Sequence, residues 1–146
     1  MNQQVEIRKA NMKDADTISS LIHQLADEIG FKSPITPQYA RKYLRSRSCA
    51  ILLAFRSRKP VGLLSYSIRP CLFHAAPSCV IEDLVVTSES RRLGVGSTLV
   101  EQATRIAARA NCAEISVSTE RDNSKAIGLY KQQGLTDESL FLERHL

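Results

Sequence analysis

Tryptophan is absent from the 146 residues, and aromatic residues make up only 5% of them. That leaves too few flat faces for a base-stacking nucleic-acid platform. No apolar run approaches the roughly 20 residues that a membrane-spanning helix requires. Residues 1–10 alternate polar and apolar side chains, so no secretory leader is expected there. Histidines number three, and the four cysteines (Cys49, Cys71, Cys79 and Cys112) contain no Cys-x-x-Cys pair. Zinc-ligand spacing is missing, so no metal is expected. The thiols are expected to be reduced and mostly buried, as in a cytoplasmic protein.

What remains is ordinary globular composition, 43% hydrophobic and 24% charged. The length suits one domain spanning residues 1–146. Twenty Lys and Arg against 15 Asp and Glu give a net charge of +5. Such an excess suits nucleic acid, an anionic membrane or a polyphosphate ligand, and composition does not choose among them. Arg41, Lys42, Arg45 and Arg47 hold part of the charge, and a solvated helix face is their default reading.

Period-two alternation at residues 5–8 predicts a first strand. Ile18, Leu21, Ile22, Leu25 and Ile29 recur at helical spacing after Asp14, and Gly30 ends the pattern. A second, basic helix is expected over 37–47, with Pro37 in its first turn. Strands at 49–55 and 61–68 are joined by residues 56–60 as a hairpin. After a loop at 69–78 comes the run 79–86, apolar except for Glu82 and Asp83, as in a central strand. A helix over 97–110 and a strand over 115–118 follow. The chain then forms a helix capped by Asn123 and stopped by Gly134, and ends in a strand at 140–142. The sum is an α/β domain with a mixed sheet flanked by helices.

The informative stretch is where the fourth strand meets the next helix. Arg91-Arg92-Leu93-Gly94-Val95-Gly96-Ser97 combines glycines, two guanidinium groups, a Ser hydroxyl and the unpaired first-turn N–H groups of the helix that follows. Together these suit an anion, and a phosphate in particular. Two familiar phosphate motifs fail here. No Lys follows the second glycine as Gly-x-x-x-x-Gly-Lys-Ser/Thr demands, and Leu99 stands where a dinucleotide fingerprint needs its third glycine.

The hexapeptide Arg91 to Gly96 resembles the Q/R-x-x-G-x-G/A motif of the GCN5-related N-acetyltransferase (GNAT) family. Residues 81–86 resemble that family's fourth strand. Residues 123–135 resemble its second cofactor motif, N-x-x-A-x-x-x-Y-x-x-x-G-F/L. The resemblance covers essentially the whole chain. It implies a mostly antiparallel sheet whose fourth and fifth strands splay apart, and acetyl-CoA as co-substrate. It further implies that the backbone of Leu84, Val85 and Val86 holds pantetheine. The segment Arg91, Arg92, Leu93, Gly94, Val95, Gly96 and Ser97 would take the pyrophosphate, and Asn123 would hydrogen-bond the pantetheine arm. By the same resemblance Tyr130 is the general acid that protonates the leaving thiolate, with packing of its helix as the competing role. Glu82 matches the acid that polyamine-type members use as a base.

Neighbouring strand residues face opposite ways, so Glu82 is expected on the face of Leu84 and Val86, with Asp83 behind. Asp83 is assigned a structural or amine-orienting hydrogen bond. The expected activity is direct transfer of acetyl to a primary amine, on a small molecule or a peptide. The amine is expected to approach near residues 31–33 and 69–76. No cysteine matches a family nucleophile. The alternative is an acyl-CoA-binding sensor or regulatory subunit without turnover, against which Tyr130 and Glu82 both speak. Neither nucleic acid nor membrane is expected as a partner. Homodimers are common in the family, and the sequence leaves that state open.

Overall fold

The computed structural model describes residues 4–146, so the first three residues of the 1–10 stretch lie outside it. The elements run β1 (Glu6–Lys9), α1 (Ala15–Glu28), α2 (Pro37–Leu44), β2 (Cys49–Arg56), β3 (Lys59–Cys71) and β4 (Ala76–Val86). They continue α3 (Val95–Arg109), β5 (Glu114–Val117) and α4 (Ser124–Gln132). One five-stranded sheet has the order β1-β2-β3-β4-β5. Its first three pairings are antiparallel and the β4–β5 pairing is parallel. Parallel neighbours need a long crossover, and α3 supplies it. The expected mixed, mostly antiparallel architecture is what forms.

Alternation along the strands feeds two cores, one on each face. Leu52, Leu64, Tyr66 and Ile81 pack with Leu99 and Val100 of α3 and Tyr130 of α4. On the opposite face Ile51, Leu53, Leu63 and Val85 pack with Ile18 and Leu21 of α1 and Ala40 of α2. The entrance to α1 is fixed by charge. Asp14 accepts from Arg8 Nη1 and Nη2, at 2.7 and 2.9 Å, and from the Asn11 backbone N–H at 2.8 Å. Thr36 caps α2 by accepting from the Tyr39 N–H, with Pro37 in the first turn as expected. Among the described residues no helix is long and apolar enough to cross a membrane.

Several expectations are corrected. The helix expected over 37–47 stops at Leu44, and the one expected from 97 begins at Val95. The β2–β3 connection is a two-residue turn in which Ser57 and Arg58 both have positive φ, 50° and 65°, as tight hairpins demand. Residues 69–78 are not a loop. The ladder between β3 and β4 runs on to Cys71 and Ala76, leaving only residues 72–75 at a projecting tip. Residues 140–142 form no strand, and Leu140, Phe141 and Leu142 are exposed. Of the cysteines only Cys79 is buried, and the other three are half-buried. Burial pushes the Cys79 thiol up to about 11.

Candidate active site

The site is built where β4 loses a partner. Its parallel ladder with β5 covers Ser78–Ile81 against Glu114–Val117 and then ends. β4 itself runs five residues further, to Val86, still paired with β3 on its other side. Glu82 to Val86 therefore present a free edge with backbone donors and acceptors available to a strand-like ligand. This is the splay between the fourth and fifth strands.

The free edge leads into the glycine turn. Arg92 and Gly94 both have positive φ, 63° and 79°, which curls the chain around Leu93. A Cβ at Gly94 would meet nothing within 4 Å, so its glycine answers a backbone demand and not a crowding one. α3 starts at Val95 with no side-chain cap. Its first backbone bond is Thr98 N–H to Gly94 C=O, at 3.0 Å. The N–H groups of Val95, Gly96 and Ser97 thus lack intrahelical carbonyls and sit at the positive end of the helix dipole. An uncapped helix start beside open space fits a pyrophosphate.

Gly96 has a different reason to be small. A Cβ there would stand 2.9 Å from Leu129 Cδ1, 3.7 Å from Val86 Cγ2 and 4.0 Å from Leu84 Cδ2. The end of β4, the start of α3 and the middle of α4 converge on this one position. Tyr130, next to Leu129, is buried on the same face of the sheet. Burial pushes its phenol above the ordinary value, which keeps it protonated at neutral pH. Asn123 caps α4 by accepting from Ala126 N–H at 3.2 Å, leaving its NH₂ to donate elsewhere. Gly128 lies on the exposed side of α4 with open space around it.

The two acids are not where simple alternation puts them. β3 and β4 are in register at Ser65↔Asp83 and again at Tyr66↔Ile81. Glu82 is therefore the extra residue of a β-bulge, which shifts side-chain parity along the strand. Cys79 and Ile81 face the α3 side, as do Leu84 and Val86. Ser65 Oγ donates to Asp83 Oδ2 at 2.5 Å, and Ser67 Oγ donates to Glu82 Oε1 at 3.1 Å. Ser65 and Ser67 lie two residues apart on one side of β3, the side of Leu63 and the α1–α2 core. Both carboxylates therefore share the face of Val85, opposite Leu84 and Val86. Tyr43 of α2 lies near Ser65 and Asp83, and burial, with Cys49 and Asp83 adding to it, raises its phenol.

Arg91 is also corrected. Its guanidinium does not stand over the turn. Nε donates to the Val86 carbonyl at 3.2 Å, and Nη2 pairs with Glu28 in the last turn of α1. It ties α1 to the end of β4. Arg92 is exposed at the turn. The hairpin at 69–76, expected near the amine's approach, sits at the far end of β4, roughly 20 Å from Glu82 at strand rise. There His74 pairs with Glu114 at 3.4 Å. His23 Nε2 of α1 meets the Ile35 carbonyl at 3.0 Å, a contact from α1 to the segment that joins it to α2. Sequence reasoning missed Ser65, Ser67 and Glu28, which belong to no motif, and Leu129, which fills an unspecified position of the 123–135 motif. Among the described residues no group of three His, Cys, Asp or Glu could hold a metal ion.

Comparison with known proteins agrees with this geometry. The model of the acetyltransferase (GNAT) family matches residues 18–135. Uncharacterized N-acetyltransferase YhfO of Bacillus subtilis (strain 168) is 25% identical over 142 residues, 94% of each chain. An aminoglycoside acetyltransferase from an uncultured soil metagenomic sample, solved with sisomicin, superposes with a TM-score of 0.84. It is 19% identical over 97% of this chain and 95% of that one. The ribosomal-protein-alanine N-acetyltransferase of Brucella melitensis biovar Abortus 2308 gives 0.82 at 19% identity, over 97% and 99% of the two chains. A transcriptional regulator from Bacillus halodurans C-125 gives 0.85 at 23%, over 98% and 100%. These structures share the fold. The family match, together with the splayed strands and the open helix start, leads to one conclusion: the chain belongs to the GNAT family of acetyltransferases, and its general activity is acetyl-CoA-dependent N-acetyltransfer.

Proposed function

We propose that the chain is a single-domain enzyme that moves acetyl directly from acetyl-CoA to a primary amine, on a small molecule or a peptide. The observation that carries this reading is the free edge of β4 running into the uncapped start of α3. Tyr130 lies on one face of that edge and Glu82 on the other. Acid and base thus flank the line along which a thioester would lie.

Acetyl-CoA supplies the acyl group already activated as a thioester. The backbone of Leu84, Val85 and Val86 pairs with the pantetheine amides, with the Val86 carbonyl shared with Arg91. Backbone N–H groups of Arg92, Leu93, Gly94, Val95, Gly96 and Ser97 receive the pyrophosphate, and Asn123 donates its NH₂ to the pantetheine arm. Glu82 takes the amine's proton, directly or through water, as the N–C bond forms. Tyr130 gives its phenolic proton to sulfur as the C–S bond breaks, then regains one from solvent. The proton held by Glu82 also leaves to solvent, so the cycle balances. Asp83, locked by Ser65, adds a second negative charge on the acceptor side, which favours a cationic amine.

The test is Tyr130→Phe. The variant is expected to keep the KM for acetyl-CoA and to lose about 10²-fold in kcat. Unchanged kcat, with chemistry shown to be rate-limiting, would remove Tyr130 from the reaction.

A further inference from the structure

The bulge that turns Glu82 towards the acceptor side also leaves it half-supported. Asp83 is half-buried and gripped by Ser65 at 2.5 Å, whereas Glu82 is exposed. A glutamate carries three free torsions, and an exposed one spreads over several rotamers. The contact that restricts it is the 3.1 Å hydrogen bond from Ser67 Oγ. Ser67 is half-buried on β3 and faces Cys49 of β2 in the ladder. On its other side Ser67 pairs with Val80 of β4, so it stands on the central strand of three at the last pair of the β2–β3 ladder. Ordinary alternation would put the Glu82 and Asp83 carboxylates on opposite faces, out of reach of a single row of β3 side chains. Only with the extra residue do Ser65 and Ser67, two apart, meet Asp83 and Glu82, one apart.

We infer that Ser67 is a positioning residue for the reaction, holding the Glu82 carboxylate towards the acceptor amine. The inference rests on the reading of Glu82 as the base. A donated hydrogen bond both fixes one carboxylate oxygen and leaves the second oxygen, with its lone pairs, for the amine or an intervening water. Ser67 touches no reacting atom. It raises the fraction of enzyme molecules whose base is in reach.

The experiment is a double-mutant cycle on the full chain, read by steady-state kinetics with a saturating primary amine and varied acetyl-CoA. Ser67→Ala is expected to lower kcat about 5-fold, the scale of one partly exposed hydrogen bond to a charged group, with the KM for acetyl-CoA unchanged. Ser67→Thr, which keeps the hydroxyl on a β-branched residue suited to a strand, restores most of the rate. In a Glu82→Ala background the Ser67→Ala change has no further effect, because the group it positions is gone. If Glu82→Ala lowers kcat but Ser67→Ala lowers it equally in both backgrounds, Ser67 acts on something else and the inference fails. If Glu82→Ala leaves kcat intact with chemistry rate-limiting, the base assignment fails and takes the inference with it. The two failures are thus distinguishable.

Discussion

Gly96 separates two roles that a glycine beside a phosphate site can have. One is to let phosphate approach the backbone; the other is to let helices pack. The structure favours the second, because a Cβ would lie 2.9 Å from Leu129 Cδ1. Carbon atoms rest about 3.5–4.0 Å apart, so Leu129 must retreat by roughly 0.6–1.1 Å. For Gly96→Ala the half-buried Leu129 can swing its methyl aside. A helix-propensity gain of up to about 1 kcal/mol offsets that cost, and the net change is small. Gly96→Val adds two methyl groups to a Cβ already crowded by Leu129, with Val86 and Leu84 only 3.7 and 4.0 Å from it. Overpacking of this kind costs about 2 kcal/mol, or roughly 6 °C in Tm for a chain of this size. Urea unfolding of Gly96→Val, Leu129→Ala and the double variant measures the contact. Removing Leu129 empties the space that valine needs, so a coupling of at least about 1 kcal/mol is expected. Losses that simply add, within about 0.5 kcal/mol, would refute the packing explanation. The phosphate-approach explanation would then regain its place.

Two stability predictions follow from other parts of the fold. Ser57 and Arg58 occupy positive φ in the β2–β3 turn without the Asn-Gly sequence that suits it. Ser57→Asn with Arg58→Gly should therefore raise stability by about 1–2 kcal/mol, read as a higher Tm; no gain would mean the turn is not strained as described. Arg8 holds the Asp14 carboxyl below its usual range, with the Asn11 N–H assisting and burial opposing. This stabilisation is present above the unfolded value of about 4 and is lost as pH falls through the lowered folded value. Asp14→Asn should cost about 1–2 kcal/mol at pH 7, the scale of hydrogen bonds to a charged group, with the gap from wild type closing below about pH 4. A gap that persists at pH 2 would contradict the ion-pair account.

Much of the fold is legible because its signals are local. Helical spacing in residues 18–29, the Asn123 cap and the Arg91–Gly96 turn each depend on neighbours in sequence, and each forms where expected. What stays hidden depends on pairing. Alternation alone puts Glu82 and Asp83 on opposite faces, and nothing in the residues announces a bulge opposite Ser65 and Tyr66. Arg91 reads as a phosphate ligand until Glu28, 63 residues away, is seen to hold it. The hairpin at 69–78 reads as a loop because it carries two prolines, which the projecting ends of β3 and β4 tolerate beyond the reach of β2. The apolar triplet at 140–142 has strand character but no pairing in the sheet.

The most direct measurement is acetyl transfer itself. Purified protein is incubated with acetyl-CoA and a panel of cationic and neutral primary amines, and both thiol release and acetylated product are quantified. The account predicts amine-dependent release matched one-to-one by N-acetyl product, fastest with cationic amines and about 10²-fold slower in Tyr130→Phe. Tight acetyl-CoA binding without product from any amine would contradict it, and would make the chain a sensor that keeps the cradle but not the chemistry.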